Sequence, residues 1–265
     1  MAPAGVWAAD ALHDSGTPAV STGHAVLDAQ LPGGGWPLGT LVELLPAAGS
    51  VPLWPLLLPA LAAHRVGQGT VVLVGAPQSP RPAAGWQPGL PALAAAGLPP
   101  ARLLWVPGAS AADRLWATEQ ALRCADVAAV LAWLPQARPA DLRRLQLAAA
   151  RGGDGLLFVL RPGPAARTAS PAPLCLRLDV GAAGDALMVD ILKRRGSPLA
   201  APLRLPAQPP VVRALLAAGA ARGRTRQARR DAQVLPFGAR SGGAQPGGAT
   251  LCEVVHAVDR VAVAA

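Results

Sequence analysis

The sequence predicts an α/β domain, doubly wound about a mostly parallel sheet, on three observations. Five short runs are continuously apolar rather than alternating, as strands buried on both faces must be. Stretches with helical spacing lie between them, and strand–helix alternation is the signature of parallel βαβ units. Two further runs, close together and more alternating, follow at the end of this region and read as an antiparallel hairpin.

The elements follow in chain order. Strand candidates are Thr40–Leu45 (TLVELL), Thr70–Ala76 (TVVLVGA), Leu103–Val106 (LLWV), Val127–Leu134 (VAAVLAWL) and Gly155–Leu160 (GLLFVL). ADRLWATEQALRCA spaces Leu115, Trp116, Ala121 and Leu122 as one helical face, with Asp113 near its start. PADLRRLQLAAARGG puts Leu142, Leu145 and Ala149 on one face and ends in a glycine pair suited to a C-cap. Leu174–Val180 (LCLRLDV) and Ala186–Arg195 (ALMVDILKRR), joined by GAAGD, form the hairpin candidate. In PAAGSVPLWP (Pro46–Pro55) a proline stands where a helix should begin.

Composition bounds the rest. The 265 residues are 52% hydrophobic, enough for a real core, with 29 Gly and 29 Pro to break it into short pieces. The most apolar stretch, Val51–Ala63, is too short for a membrane span and holds Pro52, Pro55 and Pro59. The first residues have no basic stretch and carry Asp10 and Asp14, unlike a secretory signal. Three distant cysteines make no CxxC, and the four histidines do not cluster with carboxylates. A reducing cytoplasm with no metal site is expected. The net charge of +9 is uneven: residues 1–205 carry 16 basic and 12 acidic side chains, residues 206–265 carry 8 and 3. PAQPP (Pro206–Pro210) marks the boundary. The chain divides into an arm, 1–17, a core, 18–205, and a Pro/Arg-rich extension, 206–265, partly helical or disordered. Lys193 is the single lysine.

Ser21–Leu45 (STGHAVLDAQLPGGGWPLGTLVELL) resembles the opening of the RecA core, where a Ser-Thr-Gly, a Leu-Asp and a glycine-rich turn lead into the strand before the phosphate loop. Glu119–Leu122, Leu176–Val180 and Val189–Leu205 resemble later RecA segments in the same order. The resemblance implies a RecA-like P-loop NTPase fold over residues 18–205. The chain departs from that family where catalysis resides. No G-x-x-x-x-G-K-[ST] is present: the phosphate-loop region offers only Gly49 and Ser50, and the strand that should end in a metal-holding Asp ends near Trp133. The nucleotide site reads as degenerate, with no cofactor and no ATPase activity expected.

Degeneracy, length and the basic extension together are similar to the ImuA family, RecA-related accessory proteins of bacterial SOS mutagenesis cassettes. That resemblance implies a cytoplasmic factor, nucleoid-associated or free, in translesion DNA synthesis. Its implied partners are an ImuB-like Y-family polymerase homologue, RecA, an error-prone C-family polymerase reached through the complex, and single-stranded DNA; no membrane is implied. A SulA-like division inhibitor and a DNA-dependent ATPase are the rival readings.

Interface candidates follow. Lys193, Arg194 and Arg195 end a strand that in RecA reaches toward a neighbour's nucleotide; a solvated strand end is the simpler reading. Arg161 and Arg167 lie where RecA carries a DNA-binding loop, against the alternative of a plain Pro-rich connection. Arg222, Arg226, Arg229 and Arg230 would line one side of a helix suited to phosphates or an acidic protein surface. Gln233–Phe237 (QVLPF) partly matches a sliding-clamp pentapeptide. The tryptophans read as core or turn anchors rather than base-stacking platforms, with Trp36, in GGGWPLG, the candidate expected to be most exposed.

Overall fold

A computed structural model describes residues 18–47, 53–63, 69–77, 90–182, 184 and 186–207. All lie in the first of two compact units, Met1–Leu215; the second, Leu216–Ala265, lies outside the described residues.

The elements are β1 (Ala19–Val20), α1 (Ala25–Asp28), β2 (Trp36–Pro37), β3 (Leu41–Pro46), α2 (Leu53–Ala63), β4 (Thr70–Val74), α3 (Leu90–Ala95), β5 (Leu103–Val106), α4 (Ala111–Ala121), β6 (Val127–Trp133), α5 (Pro139–Gly152), β7 (Leu156–Leu160), β8 (Leu174–Val180), β9 (Ala186–Lys193) and β10 (Leu203–Pro206). β1 and β2 pair by themselves. The other eight strands form one sheet in the order β10-β9-β8-β3-β7-β6-β4-β5. β3 to β8 are parallel, and β9 and β10 add the antiparallel end. The alternation of strand and helix therefore gives the expected architecture.

Side chains alternate across the sheet. Val42, Leu44, Leu73, Leu131, Phe158 and Leu176 share one core with Leu27 of α1 and Leu56, Leu57 and Leu61 of α2. Leu41, Val72, Val130, Leu157 and Val159 share the opposite core with Leu142, Leu145 and Ala149 of α5. Trp36 corrects the sequence expectation: it is fully buried and meets Phe158 edge-on, ring centroids 5.2 Å apart. Among the described residues the exposed tryptophan is Trp116, one residue beyond Leu115 on α4, and so rotated off the buried face.

Local chemistry explains the helix ends. Ser110 Oγ accepts from the Asp113 amide while Asp113 accepts from the Ser110 amide, a reciprocal cap at the start of α4. Asp141 likewise accepts from the Arg138 amide before α5, which ends at Gly153, φ 84°.

α2 was not legible as a helix. Pro55 stands in its first turn, where a missing N–H costs nothing, but Pro59 is interior and cannot donate to the carbonyl of Pro55. His24 Nε2 lies 3.0 Å from that oxygen and supplies the missing donor. Gly23, at φ +79°, lies so close that a Cβ there would stand 2.3 Å from Pro59 Cβ. Ahead of it, Ser21 Oγ and the Thr22 amide both donate to the Asp28 carboxylate, at 2.6 and 2.8 Å. Thus Ser-Thr-Gly and Leu-Asp form a clasp that seats the N-terminal segment on the proline-broken helix.

Replacing His24 by Ala is expected to cost about 1 kcal/mol in urea unfolding, the value of a lost hydrogen bond to a part-buried carbonyl. In a Pro59→Ala background the restored amide serves Pro55, and the same change should cost markedly less. The clasp also sets an acid response. Burial raises the Asp28 pKa, but the bonds from Ser21 and Thr22 and the charge of His24 outweigh it and hold the carboxyl below its ordinary 3.8. A lowered native pKa stabilises above the unfolded value, and the gain disappears as pH falls through the native one. The stability gap between wild type and Asp28→Asn should be full at neutral pH and close below about pH 4, followed by chemical denaturation across pH.

Candidate functional site

In open α/β sheets ligands bind beyond the carboxyl ends of the strands, where neighbouring strands send the chain to opposite faces. Here that place is β3 and β7. β3 is followed by α2, which packs in one core, and β7 by the crossover 161–173, whose Ala172 is buried in the other. A cleft of about 350 Å³ opens there, lined among others by Pro46, Gly75, Arg114, Trp133, Arg161 and Pro162. Beside it, a hollow of about 590 Å³ lies where α4 and α5 begin, between Ser110, Arg114, Gln136, Arg138 and Asp141.

Several groups at this edge are engaged in holding the fold, and one expected metal ligand is missing. Arg114 donates from Nε to the carbonyl of Gly108, 3.1 Å away, and lies across Gly75, whose Cβ would stand 2.6 Å from its Cδ. β6 ends in Trp133 and is followed by Leu134, with no carboxylate at that strand end to hold a metal ion. Gly49 and Ser50 lie outside the described residues. Among the described residues no three His, Cys, Asp or Glu side chains gather in a metal-binding arrangement.

Arg161 turns inward. It is only 6% exposed, and its Nη1 donates to Glu43 Oε1, from a carboxylate 1% exposed in the middle of β3. Its amide also bonds the Leu44 carbonyl at 3.0 Å. The start of the crossover is thus stitched to the central strand by both backbone and charge. Cys175, opposite Glu43 on β8, feels the result: burial first, then the Glu43 carboxylate, pushes its thiol up to about 12, so it stays protonated and unreactive. Glu43 was not singled out by sequence reasoning. Its signal was a lone acid inside the apolar run TLVELL, which has to find a counter-charge if the strand is buried.

Lys193, Arg194 and Arg195 stand at the other end of the sheet. β9 runs against β8 and pairs Lys193 with Cys175, near the start of β8, at the amino edge of the parallel strands. Lys193 Nζ donates to the Ser170 carbonyl at 2.9 Å, pinning the far end of the crossover. Arg194 donates to the carbonyl and side-chain oxygen of Gln30 and, at 2.7 Å, to the Ser197 carbonyl. Arg195 is exposed beside Pro32, Thr40 and Pro173. Arg167 is exposed at the end of a 3₁₀ turn, Gly163–Arg167. The structure gathers Lys193 to Arg195 at one edge and places Arg161 at the opposite one. Arg222, Arg226, Arg229, Arg230 and Gln233–Phe237 lie outside the described residues. Among the described residues no helix is long and apolar enough to cross a membrane.

No family model matches the chain. A protein of Edwardsiella piscicida, the cell division inhibitor SulA, is 33% identical over 121 residues, which span 45% of this chain and 68% of that protein.

Arg161→Ala is expected to destabilise the fold by about 3–5 kcal/mol, because it strands the Glu43 charge in the core. Replacing both partners by Met should recover most of that loss. Urea midpoints of the two variants, with unchanged m-values, measure the difference.

Proposed function

The chain belongs to the family of the cell division inhibitor SulA, and from that membership we propose that it is a non-catalytic, RecA-like accessory protein of the SOS response. It acts in translesion DNA synthesis beside an ImuB-like Y-family polymerase homologue and, through it, an error-prone C-family polymerase. Its work is done by binding, not by turnover.

One observation carries this reading. Phosphoryl transfer on a RecA-like scaffold relies on a lysine at the β/γ-phosphates and a metal held by a strand-end carboxylate. This chain has one lysine, and Lys193 spends its ammonium on the Ser170 carbonyl at the amino edge of the sheet, away from the carboxyl ends where phosphates would sit. The β6 end offers Trp133 in place of a carboxylate. The cleft beside Trp133 is lined largely by proline and apolar side chains, and its buried arginine is neutralised by Glu43. Such a surface suits packing against a partner better than stabilising a developing charge.

The second reading is inhibition of cell division, favoured by the relative being a cell division inhibitor. The two predict different cells. Under the proposal, deleting the gene lowers ultraviolet-induced mutagenesis, the protein co-purifies with the Y-family homologue of its own genome, and no phosphate is released from ATP with single-stranded DNA. Filamentation on overexpression in cells without the mutagenesis partners, with mutagenesis intact in the deletion strain, would instead establish the division inhibitor.

A further inference from the structure

The outer surface of the α4–α5 layer carries the two most exposed large apolar side chains among the described residues, Trp116 at 65% and Leu147 at 60%. Neither belongs to a core: the buried stripes of the two helices are Thr118 with Ala121, and Leu142, Leu145, Ala148 with Ala149. The helices are joined across this surface by a three-membered bridge. Glu119 accepts from Arg123, in the turn just past α4, at 3.0 Å and from Arg144 on α5 at 2.7 Å. Trp116 lies one turn before Glu119 on α4, and Leu147 one turn after Arg144 on α5, so the two apolar side chains flank the bridge along the seam. Below it a hollow of about 420 Å³ is lined by Arg123, Arg144, Leu147 and Arg151 together with Glu119. Three guanidinium groups and one carboxylate therefore line this hollow, and the carboxylate is already claimed by two of them, Arg123 and Arg144.

We propose that the α4–α5 seam docks an acidic amphipathic helix of a partner protein, its apolar stripe over Leu147 and Trp116 and its carboxylates on Arg123, Arg144 and Arg151. The pattern is that of helix-in-groove recognition, with anchors about a turn or two apart and charge on the rims. Tryptophan and arginine are the side chains that most often dominate interface energies. The charge excess selects an acidic occupant and repels a basic one. A nucleic-acid strand fits less well, since its phosphates gain nothing from covering Leu147 and meet Glu119 in the middle of the track. The inference concerns the chemistry of the occupant and holds for a polymerase partner or a division protein alike.

The test uses the full-length chain and a fluorescein-labelled helical peptide of about 20 residues, Leu at i, i+3, i+4 and i+7 and Glu on both flanks. A peptide with every Glu replaced by Lys and a labelled oligothymidylate of about 25 nucleotides serve as comparisons. Anisotropy should show binding of the acidic peptide alone. Trp116→Ala with Leu147→Ala should weaken it about tenfold or more, and Arg144→Ala with Arg151→Ala should weaken it most at low salt. All four side chains are exposed, so the thermal midpoints of the variants should stay near wild type and report that the fold is intact. Absence of acidic-peptide binding, equal binding by the variants, or an oligothymidylate held as tightly and lost in the same variants would each overturn the proposal.

Discussion

A carboxylate in the middle of the central strand is the constraint on which the domain turns. Glu43 lies between β7 and β8, where almost no water reaches, and a lone buried charge would cost more than the domain could spare. Arg161 answers it from the first residue after β7. Because that residue also begins the crossover to β8, neutralising the charge fixes where the chain leaves the sheet and which face it follows. The far end of the crossover is fixed by Lys193 on Ser170. Thirteen residues with only a 3₁₀ turn of regular structure are thus pinned at both ends by basic side chains. The same pair removes the one buried cation among the described residues from any ligand's use.

The amino-terminal clasp solves a second problem with similar economy. A helix that follows the central strand needs donors that Pro59 does not have, and the missing one comes from His24, more than thirty residues earlier. The Ser-Thr-Gly and Leu-Asp residues that carry the resemblance to RecA act here through Asp28, Gly23 and His24 as a structural seat for that helix. The residues that carry that resemblance hold the scaffold together, and the sequence contains no G-x-x-x-x-G-K-[ST].

How much could be read beforehand depends on how local the physics is. β5 and β8 carry the bounds the sequence suggests, because a short apolar run between breakers or a clean period of two needs no distant information. α5 declared its buried face and its glycine end for the same reason. α2 did not, since three prolines argue against a helix until its remote donor is known. Trp36 was misjudged because its burial depends on Phe158, some 120 residues away, and Trp116 because one step around a helix separates core from water. For Arg161 the residue was visible and its partner was not: a basic side chain after a strand reads as an interface until the acid inside β3 is seen to need it.

The single lysine has a consequence of another kind. Covalent chemistry that seeks a side-chain amine finds one address in this chain, and Lys193 is hydrogen-bonded at the amino edge of the sheet. Acylation or the attachment of a protein tag through lysine would have to open the Ser170 contact first. Amine-directed cross-linkers, whose side-chain target is that one position, report chiefly on neighbours of that edge, and arginine- or carboxylate-directed reagents are needed to see the other faces.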